Sequence, residues 1–127
     1  MYKPAIIISC LLAAISVIVG ALGAHALAEI LPKELLNSFE TAVKYQFYHV
    51  FALAIAGILY KEYPNKMIKA AAWLFLLGII LFSGSIYLLV YLKSAATIGL
   101  GGLGIITPIG GMVFIIAWLV LLLGVLK

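Results

Sequence analysis

Within AVKYQFYH (Ala42 to His49), the residues Lys44, Tyr45, Gln46, Tyr48 and His49 stand together in a chain that is 67% hydrophobic. At 100° per residue, Thr41, Tyr45, Tyr48 and Ala52 share one helical stripe. Lys44 flanks that stripe on one side and His49 on the other, with Gln46 further round. Glu40 and Lys44 lie at i, i+4 in the orientation that favours an ion pair. A neutral imidazole gives one proton and accepts another, so His49 brings acid–base capacity to this face. Its available partners are Tyr45, Tyr48 and Gln46, and, on a later segment, Ser83, Ser85 and Tyr87.

The cluster admits two readings. In one it is interhelical glue, each polar contact contributing about 0.6 kcal/mol and fixing register. In the other it is an intramembrane ligand or proton site. A general-base role for His49 needs a nucleophile within hydrogen-bond reach, and Ser83 and Ser85 have no evident His–acid relay. His25 is a second polar position, near the end of its own segment and roughly 15 Å from the depth of His49 at ~1.5 Å per residue. Two His at different depths, with no Asp and four scattered Glu, make a poor ligand set, so neither a metal nor a cofactor is expected.

The elements that hold these residues must lie in lipid. Charged residues make up 9% of 127, against about 25% in soluble proteins, and mean hydropathy is +1.31. A soluble domain of this size has no means of hiding so much apolar surface. The net charge of +4 comes from eight Lys and four Glu, without Arg or Asp. The lysines fall at segment ends with no basic run, which reads as membrane anchoring and orientation, not nucleic-acid binding. Cys10 stands alone, so no internal disulfide forms. IISC (Ile7 to Cys10) and AHA (Ala24 to Ala26) resemble processing sites, but the apolar run around them is too long for a signal peptide, and no cleavage is expected.

Four apolar segments emerge: residues 4–27, 37–60, 68–92 and 107–126, each near the ~20 residues a spanning helix needs. Leu35, Leu36 and Phe39 recur at helical spacing after Pro32, predicting a short interfacial helix before span two. Asn37 and Glu40 have capping-box spacing. The third link, Lys93 to Ile106, is Gly-rich. Its Gly99, Gly101 and Gly104 match G-x-G-x-x-G without the strand–turn–helix context that would give the motif meaning. Thr107 and Pro108 read as N-cap and first residue of the last helix, the alternative being a longer helix with Pro108 inside. If Tyr60 marks a membrane boundary, His49 lies 11 residues further in, ~16 Å, near the middle of a ~30 Å core.

Small residues at Ala13, Ser16, Gly20 and Ala24, in SGS (Ser83 to Ser85) and at Gly110 and Gly111 predict close helix contacts within one bundle. With four spans both termini share a side. Lys3, Lys61, Lys66, Lys69 and Lys127 on that side outnumber Lys33 and Lys93, even with Lys44 added to them, which predicts both termini in the cytoplasm. The architecture expected is an all-α, antiparallel, single four-span domain in the cytoplasmic membrane.

GALGAHAL (Gly20 to Leu27), FETAVKYQFYH (Phe39 to His49), LFSGSIYLL (Leu81 to Leu89) and ITPIGG (Ile106 to Gly111) occur in this order. In this the chain resembles the YgdD-like family, domain of unknown function 423, with its eukaryotic relative transmembrane protein 256. The resemblance covers essentially the whole chain. It implies a four-helix inner-membrane protein and supplies no activity. The family pattern usually has Arg where Lys44 stands and often Gly where Ala117 precedes Trp118.

Three functions remain in view. The first is a non-enzymatic structural, assembly or partner-binding factor, with a membrane-protein partner or a second copy of the chain. The second is a lipid or small-molecule binder or carrier, using Tyr45, Gln46, His49 and Lys44. The third is an intramembrane enzyme with His49 as base. A channel is disfavoured, because FALAIAGILY (Phe51 to Tyr60) offers no polar group before Tyr60.

Overall fold

Pro4 falls in the first turn of α1 (Lys3–Ala24), where its missing N–H costs nothing and its fixed φ already suits a helix. The structure, a computed structural model, describes residues 1–95 and 103–127, and its regular elements are all helices. Four of them are long and apolar enough to cross a membrane: Lys3–Ile30, Lys33–Leu59, Lys66–Ser94 and Gly104–Leu126. The all-α fold expected from the apolar runs is the one observed.

Several boundaries differ from expectation. The first span does not run straight to Leu27. At His25 the backbone leaves the helical region (φ −115°, ψ −80°), and the chain resumes as α2 (Ala26–Ile30). This break turns Leu27 and Leu31 onto an apolar cluster of Phe39, Ala42, Ile86 and Val90. The interfacial helix expected over Leu35 to Phe39 is instead the opening of α3, which is continuous over Lys33–Leu59. No proline interrupts the chain between Pro32 and Pro64, so the periodic stretch simply joins the span. Asn37 caps nothing; its carbonyl accepts the Thr41 hydroxyl inside the helix at 3.0 Å.

Asn65 caps α4 (Lys66–Ile79), its Oδ1 accepting from the N–H groups of Met67 (3.0 Å) and Ile68 (3.2 Å). The helix then widens into one π turn, Ile80–Gly84, before α5 (Ser85–Ser94). The last helix, α6 (Leu103–Leu126), is already under way before Thr107 and holds Pro108 inside. The longer-helix alternative is therefore correct, and the Gly104 carbonyl loses its ladder donor at Pro108. Residues 96–102 of the Gly-rich link, Gly99 and Gly101 among them, lie outside the described residues.

Consecutive spans are neighbours: α1 packs on α3, α3 on α4, and α4 on α6. Val50, Leu53, Ile68, Phe75 and Phe114 fill the main core. On α1 the face turned inward carries Ala5, Ser9, Ser16 and Gly23. Small residues do mediate that contact, as expected, but Ala24 is exposed. Gly110 permits backbone-to-backbone contact between α6 and the π turn, since a Cβ there would collide with the backbone of Leu81 and Phe82.

Candidate functional site: a polar seam across the bundle

The buried stripe of α3 runs through Ala42, Gln46, His49, Val50, Leu53 and Ala56. Within it Gln46 is 3% exposed and His49 6%; across the bundle Ser83 is 0% exposed and Ser85 6%. Each of these four polar residues crosses a helix–helix boundary.

His49 joins α3 to α6. Its Nδ1 lies 2.8 Å from the Tyr45 carbonyl, which can only accept, so Nδ1 carries the proton. Nε2 then holds the lone pair and accepts from the Trp118 indole N–H at 3.3 Å. One neutral tautomer satisfies both contacts. The imidazole lies flat on Phe114, with centroids 3.4 Å apart and planes 7° from parallel. Trp118 in turn packs edge-on against Phe75 at 4.9 Å.

Gln46 ties three elements. Its Oε1 accepts the Tyr87 hydroxyl of α5 at 2.6 Å, and its Nε2 donates to the Leu12 carbonyl of α1 at 3.4 Å. That carbonyl also takes the Ser16 hydroxyl at 2.7 Å. Ser83, in the π turn, donates to the Ala42 carbonyl of α3 at 2.7 Å. Ser85 donates to the Phe82 carbonyl at 2.9 Å and sits 2.6 Å from Thr107 Oγ1 of α6. With the Ser85 proton so placed, Thr107 is the donor of that pair. Among the described residues, no buried side-chain nitrogen or oxygen lacks a partner.

The structure thus brings Gln46, His49, Ser83, Ser85 and Tyr87 into the bundle. It turns the other candidates outward: Tyr45 is 40% exposed and Tyr48 57%, and Glu40, Thr41, Lys44 and His25 are also exposed. Tyr45 still covers Phe82, with centroids 4.6 Å apart. His49 does not hydrogen-bond Ser83 or Ser85, whose protons go to backbone carbonyls. Among the described residues no three His, Cys, Asp or Glu side chains gather at one point. Phe114, Trp118 and Thr107 are site residues that sequence reasoning did not single out. The signal available was Trp118 itself, nine residues inside the chain end, where an indole N–H in hydrocarbon requires an acceptor.

The two ends of the bundle differ. At one end the Tyr2 N–H donates to the Gly57 carbonyl at 2.8 Å and Asn65 Nδ2 donates to the Gly124 carbonyl at 2.8 Å. There too Lys69 Nζ lies over the rings of Tyr2 (5.3 Å) and Tyr60 (5.0 Å). At the other end α5 is flanked by two cavities. One, of about 540 Å³, is bounded by α2, α3 and α5. The other, of about 400 Å³, opens between α3, α5 and α6.

The profile of a family described as "Protein of unknown function (DUF423)" matches residues 19–111. The chain is 39% identical to a "UPF0382 membrane protein" of Staphylococcus epidermidis, over 98% of this chain and 97% of the relative. It is 36% identical to "UPF0382 membrane protein YwdK" of Bacillus subtilis, over 98% of each. A "UPF0382 membrane protein" of Haemophilus influenzae is 38% identical over 87% of this chain and 84% of its own length. No solved structure matches.

Proposed function

We propose, from the premise that this chain belongs to the DUF423 family of membrane proteins, that it is a non-enzymatic factor of the bilayer. It acts by what it holds and binds, as a structural, assembly or partner-binding component, and its polar seam is the lock that sets helix register. The observation carrying this reading is the state of His49. Both ring nitrogens are engaged, one by a backbone carbonyl and one by an indole N–H, which leaves no lone pair for a substrate proton. A general base must have its acceptor nitrogen within hydrogen-bond reach of the substrate proton it takes, and here that nitrogen faces the Trp118 indole.

The test is native mass spectrometry of protein released in mild detergent, wild type against His49→Ala, alongside thermal unfolding. The expected outcome is no specific small-molecule adduct lost on mutation, with stability lower by about 2 kcal/mol. That figure combines a polar interhelical bond at about 0.6 kcal/mol with the packing lost beside Phe114. Crosslinking in native membranes should then recover a protein neighbour. A discrete small molecule present with wild type and absent with the variant would overturn the lock reading and make the seam a ligand site.

On the same reading both termini lie on the cytoplasmic side. Lys3, Lys61, Lys66, Lys69 and Lys127 belong to the end that holds the termini, against Lys33 and Lys93 at the other, and basic residues concentrate on the cytoplasmic side.

A further inference from the structure

Going beyond that reading, we infer that the 400 Å³ cavity between α3, α5 and α6 is a headgroup site for an anionic phospholipid carrying a polyol. Depth is the first ground. Of its lining residues on α3, Thr41 is eight residues from His49 and Leu35 is six further. At ~1.5 Å per residue those steps are ~12 Å and ~9 Å. With His49 near mid-core, the cavity begins just inside the ~15 Å half-thickness of the hydrocarbon and ends among the headgroups. It is too high for the body of an acyl tail and correctly placed for the phosphate, the glycerol and the first carbons of a chain.

The lining supplies the chemistry. Lys93 is the charged residue among the described residues that line it, and no carboxylate is among them. An ammonium there attracts a phosphate and repels the cation of a choline or ethanolamine headgroup. Three hydroxyls also line it: Ser38, Thr41 and Thr107. Their protons are already committed, Ser38 to the Glu34 carbonyl at 3.2 Å, Thr41 to the Asn37 carbonyl at 3.0 Å, and Thr107 to Ser85 at 2.6 Å. What they present to the cavity is therefore lone pairs, which call for a donor on the ligand. A negative phosphate joined to a hydroxyl-bearing headgroup answers both demands. The apolar wall of Ile86, Leu89 and Pro108 takes the glycerol carbons and the start of an acyl chain. Among the described residues the neighbouring 540 Å³ cavity is lined by no charged side chain and has no comparable call for an anion.

The experiment is a lipid titration of the full chain in mild detergent, read by native mass spectrometry. The probes are phosphatidylglycerol, phosphatidic acid, phosphatidylethanolamine and phosphatidylcholine with the same acyl chains. Phosphatidylglycerol is expected to be retained above the other three. Lys93→Gln should cut that retention about fivefold, Lys93→Arg should restore it, and Lys61→Gln at the opposite end should leave it unchanged. Thr41→Val, which keeps the shape and removes the acceptor, should narrow the preference over phosphatidic acid roughly threefold. Equal retention of all four lipids, equal losses from Lys93→Gln and Lys61→Gln, or a preference for ethanolamine overturns the site. Phosphatidic acid binding as well as phosphatidylglycerol overturns its polyol half.

Discussion

His49 illustrates what a single residue discloses in a membrane sequence. A titratable group at mid-span must face protein, and this was legible from its position alone, as was the burial of Gln46, Ser83 and Ser85 beside it. Its partner was not legible. Trp118 is 69 positions away, and nothing local to either residue encodes that meeting. The two tyrosines were misplaced for a physical reason. Tyr45 and Tyr48 share a wheel stripe with Thr41, but a tyrosine is amphipathic and tolerates the lipid face. The inward face is chosen instead by Ala42, Ala52, Ala56 and Gly57, whose small size lets α1 and α4 approach. Trp118→Phe tests the bond between the rings, since it keeps an aromatic against Phe75 and removes the N–H. It should cost about 0.6 kcal/mol, the mean for interhelical polar contacts. In a cycle with His49→Ala measured by unfolding in detergent, the two changes should couple by that amount. Additive losses would mean that Trp118 contributes packing alone.

At the scale of elements, the third span shows where periodicity ends and geometry takes over. The apolar run of residues 68–92 announces a helix, and SGS announces a close contact. The π turn over Ile80–Gly84 leaves no mark in hydropathy. One residue added to a turn rotates the remainder of the helix by about 100° relative to an unbroken one. Here that turn presents the Ser83 hydroxyl to the Ala42 carbonyl and brings the Leu81–Phe82 backbone against Gly110. Two glycines of α6 therefore make a matched test. Gly110→Ala drives a methyl into backbone atoms that cannot rotate away, and should lower stability by roughly 1–3 kcal/mol. Gly104→Ala meets nothing within 4 Å and should be neutral or slightly stabilising, as an alanine in a helix is. Equal effects in thermal unfolding would show that the π turn yields to the added methyl.

Taken whole, the molecule has one end closed by hydrogen bonds and one end that carries its two larger cavities, and its lysines divide along the same axis. Four spans and their antiparallel order could be read from run lengths. The closed end could not, because it depends on contacts of each extreme of the chain with its middle: Tyr2 with Gly57 and Trp73, Asn65 with Gly124. Those contacts gather the start of the chain, the α3–α4 turn and the last turn of α6 at one membrane face, with Lys61, Lys66 and Lys69 beside them. The opposite face holds the two larger cavities and Lys93. If the closed end is cytoplasmic, as proposed, the headgroup cavity samples the outer leaflet, so orientation also fixes which lipid pool it meets. Single cysteines in a Cys10→Ser background decide this. An impermeant maleimide should label Lys33→Cys in intact cells and label Lys66→Cys only after the membrane is opened, because the hydrocarbon core bars the charged reagent from the inner face. Labelling in the reverse order would invert the protein, and would do so without disturbing a single contact of the bundle.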